Sequence, residues 1–124
     1  MKCPYCNGDA VFADSRKIYG NSYGMVYMCS NYPKCDAYVG AHKNGGQPLG
    51  TMARGYLRRL RIQAHELFDV LWAGGGMKRE RAYALMGSML DIPRSECHIG
   101  MMDEKRCELF IEKIKEYMCN RKTR

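Results

Sequence analysis

The sequence lacks any long apolar run and any recognisable export signal. No stretch approaches the roughly 18 uninterrupted apolar residues of a membrane-spanning helix, and the N-terminal segment MKCPYCNGDA has no apolar signal-peptide core. We therefore expect a cytoplasmic protein that does not enter a membrane. In a reducing compartment, seven cysteines in 124 residues favour metal binding over disulfide bonds.

Enzyme motifs are also missing from the sequence. There is no Walker loop, nucleophile elbow or dinucleotide fingerprint, and the segment HELFD at residues 65–69 lacks the second histidine of a zincin helix. Histidine is scarce, with three residues: His42, His65 and His98. The sequence leaves open whether these converge with acidic or cysteine side chains on a second metal site or a nuclease centre. We expect a protein without enzymatic activity and infer no small-molecule substrate.

One short segment, NGGQPLG at residues 44–50, divides the chain into two parts of different character. Residues 1–43 alternate polar and apolar positions, which predicts strands. Residues 51–124 carry apolar residues at spacings of three and four, which predicts helices over about residues 51–72 and 78–90, and a third after Asp103. The predicted fold class is α+β: a ribbon of about three antiparallel strands (1–43), a linker (44–50) and a three-helix region (51–124) on which the ribbon packs.

Four of the seven cysteines form two closely spaced pairs. Cys3 and Cys6 belong to the segment CPYC, and Cys29 and Cys35 belong to CSNYPKC. Two such pairs can complete a tetrahedral site, because structural zinc takes four sulfur or nitrogen ligands. The metal would also supply stability that a ribbon of about 40 residues cannot obtain from its own core. The sequence therefore predicts one bound Zn²⁺. The remaining cysteines are predicted to be small, buried, hydrophobic residues: Cys97, Cys107 and Cys119.

Basic residues outnumber acidic residues, 20 to 13, which gives a formal charge of +7. Four zinc-bound thiolates and one Zn²⁺ sum to minus two, which lowers +7 to +5. A basic protein of this size can bind a polyanion such as nucleic acid. Arg54, Arg58 and Arg61 recur at i, i+4 and i+7, so they share one helix face. That face is either a phosphate-contacting surface or simply the solvated side of the helix.

The predicted ribbon interleaves tyrosines with lysines and arginines. Sequence-tolerant single-strand binding uses this combination, because bases stack on aromatic rings while cations contact phosphates. Strand positions favour tyrosine for structural reasons as well, so a purely structural role is the alternative. The candidate nucleic-acid-binding residues are Arg16, Lys17, Tyr23, Tyr32, Lys34, Arg54, Arg58 and Arg61.

Two family resemblances bear on these predictions. CPYC followed by CSNYPKC resembles the four-cysteine zinc ribbons of bacterial type IA DNA topoisomerases, which hold single-stranded DNA. That resemblance covers about residues 3–40, and since the catalytic region is missing and the insertion between the pairs is longer, it does not imply DNA relaxation. A wider resemblance runs through SYGMVYMCSNYPKCDAYVGAHK, PLGTMA, RLRIQAHELFDVLW and CHIGMMDEKRC. It is to a zinc-finger-containing domain family of bacteria and phages, which implies a ribbon followed by helices and no particular activity.

The leading hypothesis is a small, basic, zinc-dependent protein that binds nucleic acid, either single-stranded or without sequence preference. The alternative is a protein-interaction module. If the gene belongs to a phage or prophage, such a module could dock on a host or defence enzyme complex and inhibit it.

Overall fold

The computed structural model describes residues 1–74 and 76–122, with the backbone alone for residues 121 and 122. The chain divides into two compact units, Met1–Arg58 and Arg59–Arg124. Strands occur in the first unit and long helices follow, so the α+β class is confirmed. The predicted domain division and the predicted packing of the ribbon on the helical region stay predictions.

The first unit is built on a three-stranded antiparallel sheet, as the sequence predicts. Its strands are β1 (Ala10–Asp14), β2 (Met25–Cys29) and β3 (Tyr38–Gly40), in the order β1-β2-β3. Phe12 pairs with Tyr27, and Tyr27 pairs with Val39. Because side chains alternate between the faces of a sheet, the neighbouring pairs point to the opposite side. There a small core is buried: Ala13, Val26 and Met28.

The segment after β3 forms a hairpin. The His42 N–H donates to the Gln47 carbonyl at 2.7 Å, and the Leu49 N–H donates to the Gly40 carbonyl at 2.9 Å. Gly46 has φ = 69°, a backbone conformation that favours glycine. Of the predicted linker, residues 44–50, Gly45 and Gly46 lie at the turn of this hairpin within the first unit.

Helices account for most of the remaining chain. A short helix, α1 (Arg16–Tyr19), connects β1 to β2, and the long helices are α2 (Gly55–Ala73), α3 (Arg79–Leu90) and α4 (Glu104–Lys122). Two 3₁₀ turns, Arg94–Glu96 and Ile99–Met101, lie between α3 and α4. Within residues 1–74 and 76–122, no helix combines the length and apolar character that crossing a membrane requires.

The ends of these helices follow the signals in the sequence. Helix α2 stops before Gly74. Helix α3 ends at Leu90 and is followed by its C-cap residue Asp91, which adopts a left-handed conformation (φ = 54°) two residues before Pro93. The Asp103 carboxylate accepts a hydrogen bond from the Arg106 N–H at 2.9 Å and so caps α4. The three predicted helices are therefore confirmed, with start points within a few residues of the predicted ones.

The second unit has an apolar core that includes two of the cysteines. Cys97 and Cys107 are completely buried, as predicted, and α4 buries Phe110 and Ile114 on the same helix face as Cys107. Cys119 is exposed, so the prediction that it is buried is wrong. Its position follows from helix geometry, because residue 119 lies off the stripe defined by residues 107, 110, 111 and 114.

Candidate metal centre and ribbon surface

The four cysteines predicted to bind zinc meet at one end of the sheet. Cys3 and Cys6 precede β1, Cys29 ends β2, and Cys35 lies between β2 and β3. Each pair is held on a tight backbone turn. In the first turn the Cys3 N–H donates to the Gly8 carbonyl at 2.7 Å, which fixes the direction of the chain between the two cysteines.

The sulfur atoms have the spacing of a tetrahedral site. All four Sγ atoms lie within 4.8 Å of one another, with 3.6 Å between Cys3 and Cys35 and 3.3 Å between Cys6 and Cys29. A zinc ion with bonds of about 2.3 Å places its sulfur ligands about 3.8 Å apart. Three of the cysteines are buried, and Cys6 is exposed. The cluster is therefore arranged to coordinate a metal ion, consistent with Zn²⁺.

Asn31 contacts two of these sulfurs. Its backbone N–H donates to Cys29 Sγ and its side-chain amide donates to Cys6 Sγ, both at 3.4 Å. The amide, helped by the Gly8 N–H, lowers the pKa of Cys6 to about 6. Burial raises the pKa of the Cys29 thiol to about 12. A bound divalent cation would compensate the burial of the Cys29 thiolate, because metal binding requires the deprotonated sulfur.

Arg54 supplies a cation beside the cluster. Its guanidinium donates to Cys35 Sγ at 3.5 Å and lies 4.7 Å from the centre of the Tyr5 ring. The Ala37 N–H and then Arg54 lower the pKa of Cys35. A zinc ion with four thiolates carries two net negative charges, which a neighbouring guanidinium partly offsets. Arg54 is thus placed to support the metal centre.

A three-stranded ribbon with four cysteines at one end is typical of zinc-ribbon proteins. In this chain the ribbon is followed by helices. Residues 1–117 match a family described as a zinc-finger-containing domain. Because the match spans nearly the whole chain, the chain belongs to this family. No curated protein and no solved structure gave a significant match.

The histidines take separate positions. His42 follows β3, and His98 is exposed. The Nδ1 atom of His65 lies 2.9 Å from the carbonyl oxygen of Arg61. In the part of the chain that the structure describes, the four cysteines are the one group of three or more cysteine, histidine or acidic side chains close enough to share a metal ion. The structure therefore provides no second metal cluster among those residues.

The three arginines predicted to form one phosphate-contacting face are used in different ways. Arg54 is exposed, whereas Arg58 donates to the carbonyls of Asp36 and Ala53 and stacks on the Tyr38 ring at 3.8 Å. Arg61 is only 9% exposed. Its Nε and Nη2 atoms donate to the Met102 carbonyl at 3.2 and 2.9 Å. Arg61 is therefore a core residue of the second unit, and the prediction that it lies on a phosphate-contacting surface is wrong.

The other candidate binding residues all lie in the first unit. Arg16, Lys17 and Lys34 are exposed, and Tyr23 has 73% of its surface accessible. Tyr32 is half-buried against the small core under the sheet, so its ring has a structural function. Tyr23 is therefore the candidate tyrosine with a ring available for a ligand.

An open cleft lies at the end of the sheet away from the cysteines. This cleft was not predicted from the sequence. Its volume is about 1020 Å³. Aromatic and aliphatic side chains line it together with His42 and Lys43: Phe12, Tyr19, Tyr23, Met25 and Leu49. Helical or strand periodicity does not reveal the cleft, because its lining residues come from α1, all three strands and the hairpin after β3.

Proposed function

We propose that the chain is a non-enzymatic zinc-ribbon protein that binds nucleic acid through the first unit, with a preference for unpaired strands. The observation that carries this proposal is the uncompensated positive charge beside exposed aromatic rings. Lys17, Lys34 and Lys43 are exposed and take part in no ion pair within the described part of the chain.

The acidic side chains of the first unit are already engaged. Asp9 pairs with Lys2, and Asp36 pairs with Arg58 at 3.2 Å. Asp14 accepts hydrogen bonds from Ser22 Oγ and the Arg16 backbone N–H, both at 2.9 Å. Within the described residues, none of these three carboxylates forms an ion pair with Lys17, Lys34 or Lys43. Phosphates of a nucleic acid backbone would supply the missing negative charge and release condensed counterions on binding.

A second candidate is supported by the exposed apolar side chains around the cleft. Phe12, Met25 and Leu49 are 47%, 38% and 56% exposed. Exposed apolar residues grouped at one place often mark a protein-binding surface. A partner protein, such as a host or defence enzyme complex, is therefore the alternative. The unneutralised lysines favour nucleic acid, because an apolar protein surface would leave those charges without partners.

Salt dependence tests the proposal. Binding of a fluorescently labelled single strand of about 15 nucleotides should weaken steadily as salt rises. Replacing Lys17 and Lys43 together by alanine should reduce the slope of log affinity against log salt by about 1.4, because each phosphate contact to a single strand contributes about 0.7. Fluorescence anisotropy at several salt concentrations gives both slopes.

The matched control removes the same charge from the second unit. Lys105 and Lys113 are exposed on α4, and replacing both by alanine lowers the net charge equally. This variant should keep the wild-type slope. If the two double variants lose the same slope, net charge rather than a site explains the binding. If the wild-type protein binds no oligonucleotide at about 50 mM salt, the proposed function is wrong.

A further inference from the structure

The cleft at the end of the sheet is far from the metal centre. Met25 lies at the cleft and begins β2, whereas the zinc ligand Cys29 ends the same strand. At about 3.3 Å per residue, the two residues are about 13 Å apart along the strand. The side chains lining the cleft are therefore not needed as zinc ligands. Their exposure requires another explanation.

One wall of the cleft presents a ring held in place by its backbone. The Tyr23 N–H donates to Oγ of the buried Ser15 at 2.7 Å, although the Tyr23 side chain is 73% exposed. The Tyr19 ring packs edge to face against Tyr23, with centroids 5.8 Å apart and an interplanar angle of 79°. Tyr19 is in turn held by a 2.6 Å hydrogen bond between its hydroxyl and that of Tyr38. Because these rings are already held in place, little side-chain entropy would be lost when a ligand binds to them.

A second ring of the cleft, Phe12, lies on the other face of the sheet from Tyr38 and is held by the hairpin after β3. The Tyr27 hydroxyl donates to the Gly46 carbonyl at 2.6 Å, and the Phe12 ring packs on Tyr27 with centroids 5.0 Å apart. Phe12 nevertheless stays 47% exposed. Fixed aromatic rings with exposed faces suit a flat, apolar ligand group that stacks on them from solvent.

The charges near the cleft indicate that such a group carries phosphate. Lys43 lines the cleft, and Arg16 and Lys17 belong to the same short helix as Tyr19. Asp14, the acidic residue at this end of β1, accepts hydrogen bonds from Ser22 and the Arg16 N–H, and within the described residues it forms no ion pair with these cations. An apolar peptide would pack against the aromatic rings but would not neutralise the positive charges of the lysines and the arginine. A nucleotide chain would contact both groups, because its bases stack on aromatic rings while its phosphates bind the cations.

We propose that this cleft is the site at which the protein takes up unpaired nucleobases, with Tyr23 as the principal stacking ring and Lys43, Arg16 and Lys17 on the adjoining phosphates. The proposal rests on the proposed nucleic-acid function and specifies where and how the strand binds. Bases within a duplex are stacked on each other and cannot reach the rings. The cleft therefore confers a preference for single strands over duplexes.

The test compares an oligothymidine of about 15 nucleotides with a duplex of equal length, using the zinc-loaded full chain. Tyr23→Ala should weaken single-strand binding about 5- to 150-fold and leave duplex binding nearly unchanged. Tyr23→Phe keeps the ring and should bind like the wild-type protein. The matched control is Tyr56→Ala, because Tyr56 is 50% exposed at the start of α2 and does not line the cleft. That variant should retain the single-strand preference.

The outcomes separate this inference from the broader function. Single-strand preference that is lost in Tyr23→Ala and kept in Tyr23→Phe and Tyr56→Ala supports the cleft. Equal wild-type affinity for single strand and duplex, or unchanged binding by a folded Tyr23→Ala, overturns the cleft while nucleic-acid binding stands. Wild-type protein that binds neither oligonucleotide overturns the proposed function, and the cleft proposal with it. Zinc content and circular dichroism of each variant establish that it is folded.

Discussion

Cys29→Ser is expected to abolish zinc binding and unfold the first unit. Cys29 is 1% exposed and supplies one of the four sulfurs of the metal centre. A serine hydroxyl is a poor zinc ligand, and the binding energy of structural zinc, on the order of 10 to 16 kcal/mol, is largely folding energy in small ribbons. Elemental analysis should find no bound zinc. Near-UV circular dichroism should lose its tyrosine signal, because seven of the nine tyrosines lie in residues 1–58.

Cys119→Ser is the control for this experiment. Cys119 is exposed on α4 and lies outside the four-cysteine cluster. The variant should keep one zinc ion per chain and the wild-type spectrum. Stoichiometric zinc together with an intact near-UV spectrum in Cys29→Ser would contradict the assignment of the metal centre.

Arg61→Ala should lower the free energy of unfolding of the second unit by about 2 to 3 kcal/mol. The buried guanidinium donates twice to the Met102 carbonyl, and removing it leaves that acceptor without these donors and opens space in the core. Its neighbour Arg59 is exposed, so Arg59→Ala should change stability by no more than about 0.5 kcal/mol. Denaturant unfolding followed by the fluorescence of Trp72, the single tryptophan, measures both variants.

The same pair of variants separates a structural arginine from a phosphate contact. If Arg61→Ala unfolds at the wild-type denaturant concentration but binds an oligonucleotide with a smaller salt slope, the structural explanation is wrong. Reduced stability with an unchanged salt slope is the expected result, because a buried side chain cannot reach a phosphate backbone.

Local patterns in the sequence were sufficient to predict the metal centre and the helices. Cysteine spacing identified Cys3, Cys6, Cys29 and Cys35 because ligands on two tight turns need only a hairpin to bring them together. The helices followed from apolar periodicity and from end signals such as Asp103, because both depend on neighbouring residues.

Features that depend on tertiary contacts were not predictable in the same way. The spacing of Arg54, Arg58 and Arg61 defines a helix face but does not say which part of that face is covered. The glycines at residues 44–50 fit a linker or a turn equally well, and the choice depends on pairing with the strand before them. The cleft joins residues as distant as Phe12 and Leu49, so only the folded chain brings its walls together.

Oligonucleotide binding before and after removal of the metal tests most directly the claim that the zinc-held first unit binds nucleic acid. A chelator should abolish binding of the labelled single strand at about 50 mM salt, because the sheet that carries the cleft and its lysines depends on the metal for folding. Adding Zn²⁺ back should restore both the near-UV spectrum and the affinity. Metal-free protein that binds the oligonucleotide with unchanged affinity would contradict the claim.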